Sequence, residues 1–204
     1  VNNIYALERI RSDDLIEGGA SITLGNEYSK RNKDGLEIFS LNLATNFRNE
    51  ENVDLPTTST IGNKTSDIVG GLALNPTEYF DVKYNFSLDN DLTRSNYDQV
   101  ETTLSLNNFV TTFDYLNEND TSGKSSYMIN TTKYSFDNQN NISFSTRENK
   151  ETDLTEYYKF MYQYKNDCLA ASIEYNKDYY DDRDIKPEEN IFIKLTIIPF
   201  GETS

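Results

Sequence analysis

Alternation of apolar and polar residues with period two runs through most of this chain, and helical spacing hardly occurs. ASITLGNEYS (20–29) sets Ile22, Leu24 and Tyr28 on one face and Ser21, Thr23 and Glu27 on the other. LEIFSLNLATNFR (36–48) alternates Phe39, Leu41, Leu43 and Phe47 with Ser40, Asn42, Ala44 and Asn46. In YFDVKYNFSLD (79–89), Phe80, Val82, Tyr84, Phe86 and Leu88 lie opposite Asp81, Lys83, Asn85, Ser87 and Asp89. A strand with one apolar and one strongly polar face needs water, or a polar interior, on its second side.

Hairpins sharpen the reading. With a two-residue loop at Asn166-Asp167, Tyr164 meets Leu169, Tyr162 meets Ala171, Phe160 meets Ile173 and Tyr158 meets Tyr175. The opposite face then pairs Lys165 with Cys168, Gln163 with Ala170, Met161 with Ser172 and Lys159 with Glu174. A one-residue slip would scramble both faces. A loop at Asn107-Asn108 joins Leu106 to Phe109, Leu104 to Thr111, Thr102 to Phe113 and Val100 to Tyr115. Three-residue loops at Pro76-Thr77-Glu78 and Asn138-Gln139-Asn140 pair Leu74 with Phe80, Leu72 with Val82, Phe136 with Ile142 and Tyr134 with Phe144.

Tight turns thus fall near residues 77, 107, 139 and 166, separated by longer polar connections at 48–65, 89–97, 117–125, 148–155 and 177–189. Their spacing of roughly thirty residues is the length of a two-strand unit. Short turns at one end and longer loops at the other, joined by strands of about ten residues, describe an antiparallel up-and-down transmembrane β-barrel. About eleven strands are expected, the last being ENIFIKLTIIP (189–199). A soluble β-sandwich or β-solenoid would alternate too. Asp81, Lys83, Asn85, Glu101, Asp114 and Lys159 on the inward faces are too polar for a sandwich core and natural for a wet lumen.

Composition agrees. The 204 residues are 36 % hydrophobic and 26 % charged, with a mean hydropathy of −0.72. Disorder would explain such polarity, but 15 Tyr and 11 Phe argue against it. A net charge of −15 excludes nucleic acid as a partner. No run of about 18 apolar residues exists to form a spanning helix. The opening VNNIYALERIRSDD has neither an initiator Met nor a signal sequence, and reads as the middle of a longer protein or a processed product.

With no His and one Cys, triads, Cys-His dyads and His- or multi-Cys zinc sites are unavailable. No cofactor and no enzyme activity is expected. Four features remain to weigh. DNDLTR (89–94) lacks the Gly and Glu spacing of a calcium loop. DYYDDRD (178–184) is an acidic loop that either binds divalent cations near lipid headgroups or is simply solvated. The Asn-x-Ser/Thr triplets at Asn63, Asn85, Asn119, Asn130 and Asn141 are what an Asn-rich chain produces by chance. Glu101 and Asp114 would face each other across a hairpin, without a cleft to make them catalytic. Tyr157, Tyr158, Tyr162, Tyr164, Tyr175, Tyr179 and Tyr180 suit interfacial girdles.

Three stretches carry a resemblance. NNIYALERIRSDDLIEGGASITLG (2–25), DLPTTSTIGNKTSDIVGGLALNPTEYFDVKYNFSLD (54–89) and YKNDCLAASIEYNKDYYDDRDIKPEENIFIKLTIIPFG (164–201) resemble the C-terminal part of the barrel of the LPS-assembly outer-membrane protein family LptD (OstA, Imp). The resemblance implies that residues 1–204 are the C-terminal portion of that barrel, with 1–18 a loop and 19–199 strands and loops, an incomplete barrel by itself. It implies a cell outer membrane location and lipopolysaccharide as the transported lipid. It further implies an LptE-like lipoprotein plug in the lumen, LptA/LptC-like periplasmic bridge proteins, and contact with outer-membrane lipids. By position, 189–199 would be the closing strand and one lip of a lateral opening, lined by Ile191, Ile193, Leu195 and Ile197. Cys168 matches a family cysteine that is tied to cysteines of an N-terminal periplasmic domain. Some members carry an adjacent pair there, so the connectivity stays open. A porin-like channel or receptor barrel, and a soluble extracellular β-protein such as an adhesin, are the competing readings.

Overall fold

The computed structural model describes residues 4, 18–55, 60–120, 123–179 and 186–197. They form β1 (Ser21–Arg31), β2 (Glu37–Arg48), β3 (Ile68–Thr77), β4 (Phe80–Leu88), β5 (Ser95–Leu106), β6 (Phe109–Asp120), β7 (Gly123–Ser135), β8 (Asn140–Asn149), β9 (Leu154–Lys165), β10 (Leu169–Asp178) and β11 (Glu188–Ile197). The only helical element among them is one 3-10 turn, Thr60–Gly62. The strands follow one another in the order β1 to β11, so every neighbour in space is a neighbour in sequence. That is the up-and-down all-β order the alternation predicts.

The chain folds as two compact units, Val1–Glu101 with Tyr115–Ser126, and Thr102–Asp114 with Tyr127–Ser204. In the first, antiparallel β1 and β2 run from Ser21↔Arg48 to Lys30↔Phe39, and β3 pairs with both β2 and β4. In the second, β7 to β11 form consecutive antiparallel ladders, ending with ten pairs from Leu169↔Ile197 to Asp178↔Glu188.

Three expected hairpin registers are displaced. Tyr164 pairs with Ala171, Tyr162 with Ile173 and Phe160 with Tyr175, so the β9–β10 turn is Asp167–Cys168 rather than Asn166–Asp167. Asn166 occupies the first turn position, where its side-chain carbonyl accepts from the amides of Cys168 at 2.9 Å and Leu169 at 2.8 Å. Asp137 does the same for Gln139 and Asn140, both at 2.7 Å, which moves the β7–β8 loop one residue earlier, to 137–139, and pairs Tyr134 with Ile142. The β3–β4 turn is Glu78–Tyr79, with a register shift beside it, and Leu74 pairs with Val82. Each displacement moves the partner by two residues. Since side chains alternate with period two, every residue keeps its face.

Two further expectations change. The 117–125 connection is mostly strand, because β6 and β7 extend to Asp120 and from Gly123. Tyr157 pairs with Arg147 and shares its alternation with Lys159, so it lies on the polar face and leaves the girdle. Tyr180 and most of the acidic loop 178–184 lie outside the described residues.

Candidate functional site

Burial in this molecule is inverted relative to a protein in water. Among the described residues the buried polar side chains are Asn46, Arg48, Ser66, Asp67, Ser126 and Glu174, against only Ile4, Ala44 and Leu55 as buried hydrophobics. The large apolar side chains stand outside. Ile22, Leu24, Phe113, Phe144, Phe160 and Ile173 are all exposed. Soluble proteins do not leave such a continuous apolar surface uncovered. A sheet that meets lipid on one face and a wet space on the other does.

The polar face is cross-linked by side chains. In the first unit the Lys83 ammonium donates to Glu101 at 3.0 Å, so the carboxylate the sequence offered opposite Asp114 is compensated by a lysine of β4. Asn46 is fully buried, its amide N–H donating to Ser66 Oγ at 2.9 Å and its side-chain oxygen accepting from Thr23 at 3.2 Å. Asp67 Oδ2 accepts from Ser87 at 2.9 Å and Asn96 at 2.8 Å. Arg48 donates to the carbonyls of Ile61 at 2.8 Å and Gly18 at 3.0 Å. This buried cluster folds the β2–β3 connection back over the strand ends. Strand periodicity gave no sign of it; the clue in the sequence is an arginine closing a strand whose other charge, Glu37, lies at its far end.

Two glycines permit the packing. A Cβ on Gly70 would collide with the Phe86 ring and approach Leu43 Cδ2 at 2.8 Å. A Cβ on Gly62 would meet the Asn52 carbonyl at 2.6 Å. In the 89–94 stretch the Asp89 carboxylate accepts from the Thr93 amide and hydroxyl at 2.8 and 2.9 Å, which consumes it within its own loop. Among the described residues no three carboxylates or thiols gather as a metal would require.

In the second unit the polar face carries Asn141 donating to Gln163 at 3.3 Å, the ion pair of Arg147 and Glu156 at 2.7 Å, and the Arg147 guanidinium 4.2 Å above the Tyr127 ring. Lys159 bonds Glu174 at 3.0 Å, as the sequence suggested, although the two are now diagonal rather than direct partners. Aromatics of the apolar face pack across the strands: Phe144 of β8 stacks on Tyr158 of β9, and Tyr158 meets Tyr179, just past β10, edge-on, with centroids 6.1 and 5.7 Å apart.

Cys168 and the terminal strand are the two sites the sequence singled out. Cys168 is a free, half-buried thiol within the β9–β10 turn, not on the strand after it. On β11, Ile191, Ile193, Leu195 and Ile197 share one face and are 69, 77, 66 and 76 % exposed. These are the barest aliphatic side chains on the sheet, at the end of the strand order.

No helix among the described residues is long and apolar enough to cross a membrane. A comparison with curated proteins finds no match for the chain. The family model "LptD: LPS transport system D" matches residues 1–125, which include two of the three stretches quoted above; the third, 164–201, lies beyond the match. Together with the all-β fold it fits an outer-membrane protein that handles LPS. The chain belongs to the LptD family, whose members transport and assemble LPS at the outer membrane rather than catalyse reactions.

Proposed function

We propose that this chain is the C-terminal wall of an LptD barrel and that β11 forms one lip of the opening through which lipopolysaccharide reaches the outer leaflet. The observation that carries this reading is the row Ile191, Ile193, Leu195 and Ile197, the most exposed aliphatic row at the end of the strand order. An acyl chain passing that edge would meet hydrocarbon on one face of β11, while the other face carries Asn190, Lys194 and Thr196 with Phe192 among them. An amphipathic lipid needs such a divided path, because its tails and its sugars cannot share one solvent.

In this arrangement the tight turns, including Asp167–Cys168, face the periplasm. Cys168 is then available to a cysteine outside this chain in an oxidising compartment. An LptE-like plug would rest against the polar face, and LptA/LptC-like bridge proteins would deliver the lipid from below. The test is photo-cross-linking from residue 191 or 193 in cells carrying the full-length protein. Lipopolysaccharide adducts at either position support the reading; their absence at both overturns it.

A further inference from the structure

Glu174 stands on the polar face of β10 and is only 7 % exposed. Its Oε1 accepts from the Lys159 ammonium of β9 at 3.0 Å and from Asn176 Nδ2 at 2.9 Å. Its Oε2 lies 3.6 Å from the Lys194 ammonium of β11. One carboxylate therefore spans three successive strands. Its direct partners are Met161 and Phe192, so both lysines reach it diagonally, one from each side.

Among the described residues, other cross-strand ion pairs join only two strands; Lys83–Glu101, for one, is well exposed, at 54 and 36 % of its side chains, where water screens it. Glu174 has little water to fall back on. Removing its partners would strand a buried charge. The opposite face of β10–β11 cannot make the same attachment. Contacts such as Ile173 with Ile193 gain little over contact with lipid tails, which are equally apolar. Besides the backbone ladder, β11 is held near the rim by the Tyr175–Glu189 bond at 3.1 Å and by Lys177 opposite Glu189; among the described residues, Glu174 is the buried polar side chain that links β10 to β11.

We propose that Glu174 is a positioning residue that fastens β11 to β9 and β10, making the three strands one stiff lip. Parting of the wall is thereby confined to the far side of β11. The proposal rests on the reading of β11 as a lip, but its own claim is mechanical and separately measurable.

The experiment is hydrogen–deuterium exchange of the full-length protein in detergent, comparing peptides over 188–197 with peptides over β2 and β3. Glu174→Ala and Lys194→Met are each expected to speed exchange in β11 about tenfold or more, and to leave β2 and β3 unchanged. A charge-inverted set, Lys159→Glu with Glu174→Lys and Lys194→Glu, is expected to restore protection. If Glu174→Ala fails to assemble, Lys194→Met carries the test, because its ammonium is the exposed end of the attachment. Unchanged β11 exchange in Lys194→Met, or equal acceleration in β11 and in β2–β3, overturns the proposal. Lipopolysaccharide adducts at 191 or 193 that persist with unchanged exchange would leave the lip reading standing without the fastening. No adducts in the unsubstituted protein would remove the lip reading whatever the exchange shows.

Discussion

The side chain of Asn166 holds the amide of Cys168 at 2.9 Å, so the one thiol of this chain is fixed by the residue two places before it. The same oxygen takes the Leu169 amide at 2.8 Å. Asn166→Ala frees both donors and is expected to destabilise the hairpin by about 1 kcal/mol, the net worth of a typical intramolecular bond. In the reduced full-length protein, maleimide labelling of Cys168 should then accelerate. In oxidised protein, non-reducing gels should show a mobility shift that Cys168→Ser abolishes; a shift that survives the substitution would remove Cys168 from the disulfide.

A second expectation concerns where β3 and β4 touch. Gly70→Val puts side-chain atoms into space held by the Phe86 ring and Leu43. The overpacking should cost about 1–3 kcal/mol, read as a lower urea midpoint for unfolding from lipid vesicles. Adding Phe86→Ala opens that space and should recover part of the loss. Equal midpoints for wild type and Gly70→Val would show that the ring moves aside freely.

Arg48 gives a third. Its guanidinium holds the carbonyls of half-buried Ile61 and exposed Gly18, and losing such a bond costs about 0.5–1.5 kcal/mol net. Arg48→Met should loosen the 49–67 connection and speed its cleavage by added protease. Cleavage in the second unit, far along the chain from both carbonyls, should stay unchanged.

The turn between β7 and β8 responds to pH. Hydrogen bonds from the Asn140 side chain, then from the Gln139 and Asn140 amides, hold the Asp137 carboxyl below its usual range. A carboxylate depressed in the fold stabilises it above the unfolded value of about 4 and ceases to as pH falls through the lower folded value. The Gln139 and Asn140 amide resonances should therefore stay fixed from neutral pH to about 4 and shift only below it. Asp137→Asn should abolish that titration.

The two faces should tolerate charge differently. Phe144→Arg, on the outward face, is expected to cost about 2–4 kcal/mol near the bilayer midplane. Gln163→Arg, on the polar face beside Asn141 and Ser172, should leave the unfolding midpoint in vesicles within about 0.5 kcal/mol of wild type. Similar losses from both would contradict the assignment of faces.

Period-two alternation made the strand number, the order and the faces legible, because a residue's face depends only on parity. Turn positions were less legible. Asn166 and Asp137 read equally well inside a loop or at its first position, and only their bonds to amides two and three residues on decide between them. The Lys159–Glu174 contact survived the displaced register because long side chains reach diagonally. The buried cluster of Arg48, Asn46 and Asp67 was hardly legible beyond the polar face of Asn46 and the strand-end arginine. Ser66, Ile61 and Thr60 reach them from the 49–67 connection, whose return path leaves no periodic trace, and the remaining partners come from separate strands and loops. Lys194 as the second partner of Glu174 was hidden for a related reason: the pairing of β10 with β11 spans the 179–187 connection, whose length says nothing of register.

The bare row on β11 has a consequence for the newly made polypeptide. Alternate aliphatics on a ten-residue segment, NIFIKLTI within it, are the pattern that seeds cross-β stacking when a strand waits in water. The side chains proposed to receive the tails of a lipid are, before insertion, the chain's most adhesive surface. A segment of this kind has to be kept from its own copies until the strand is paired.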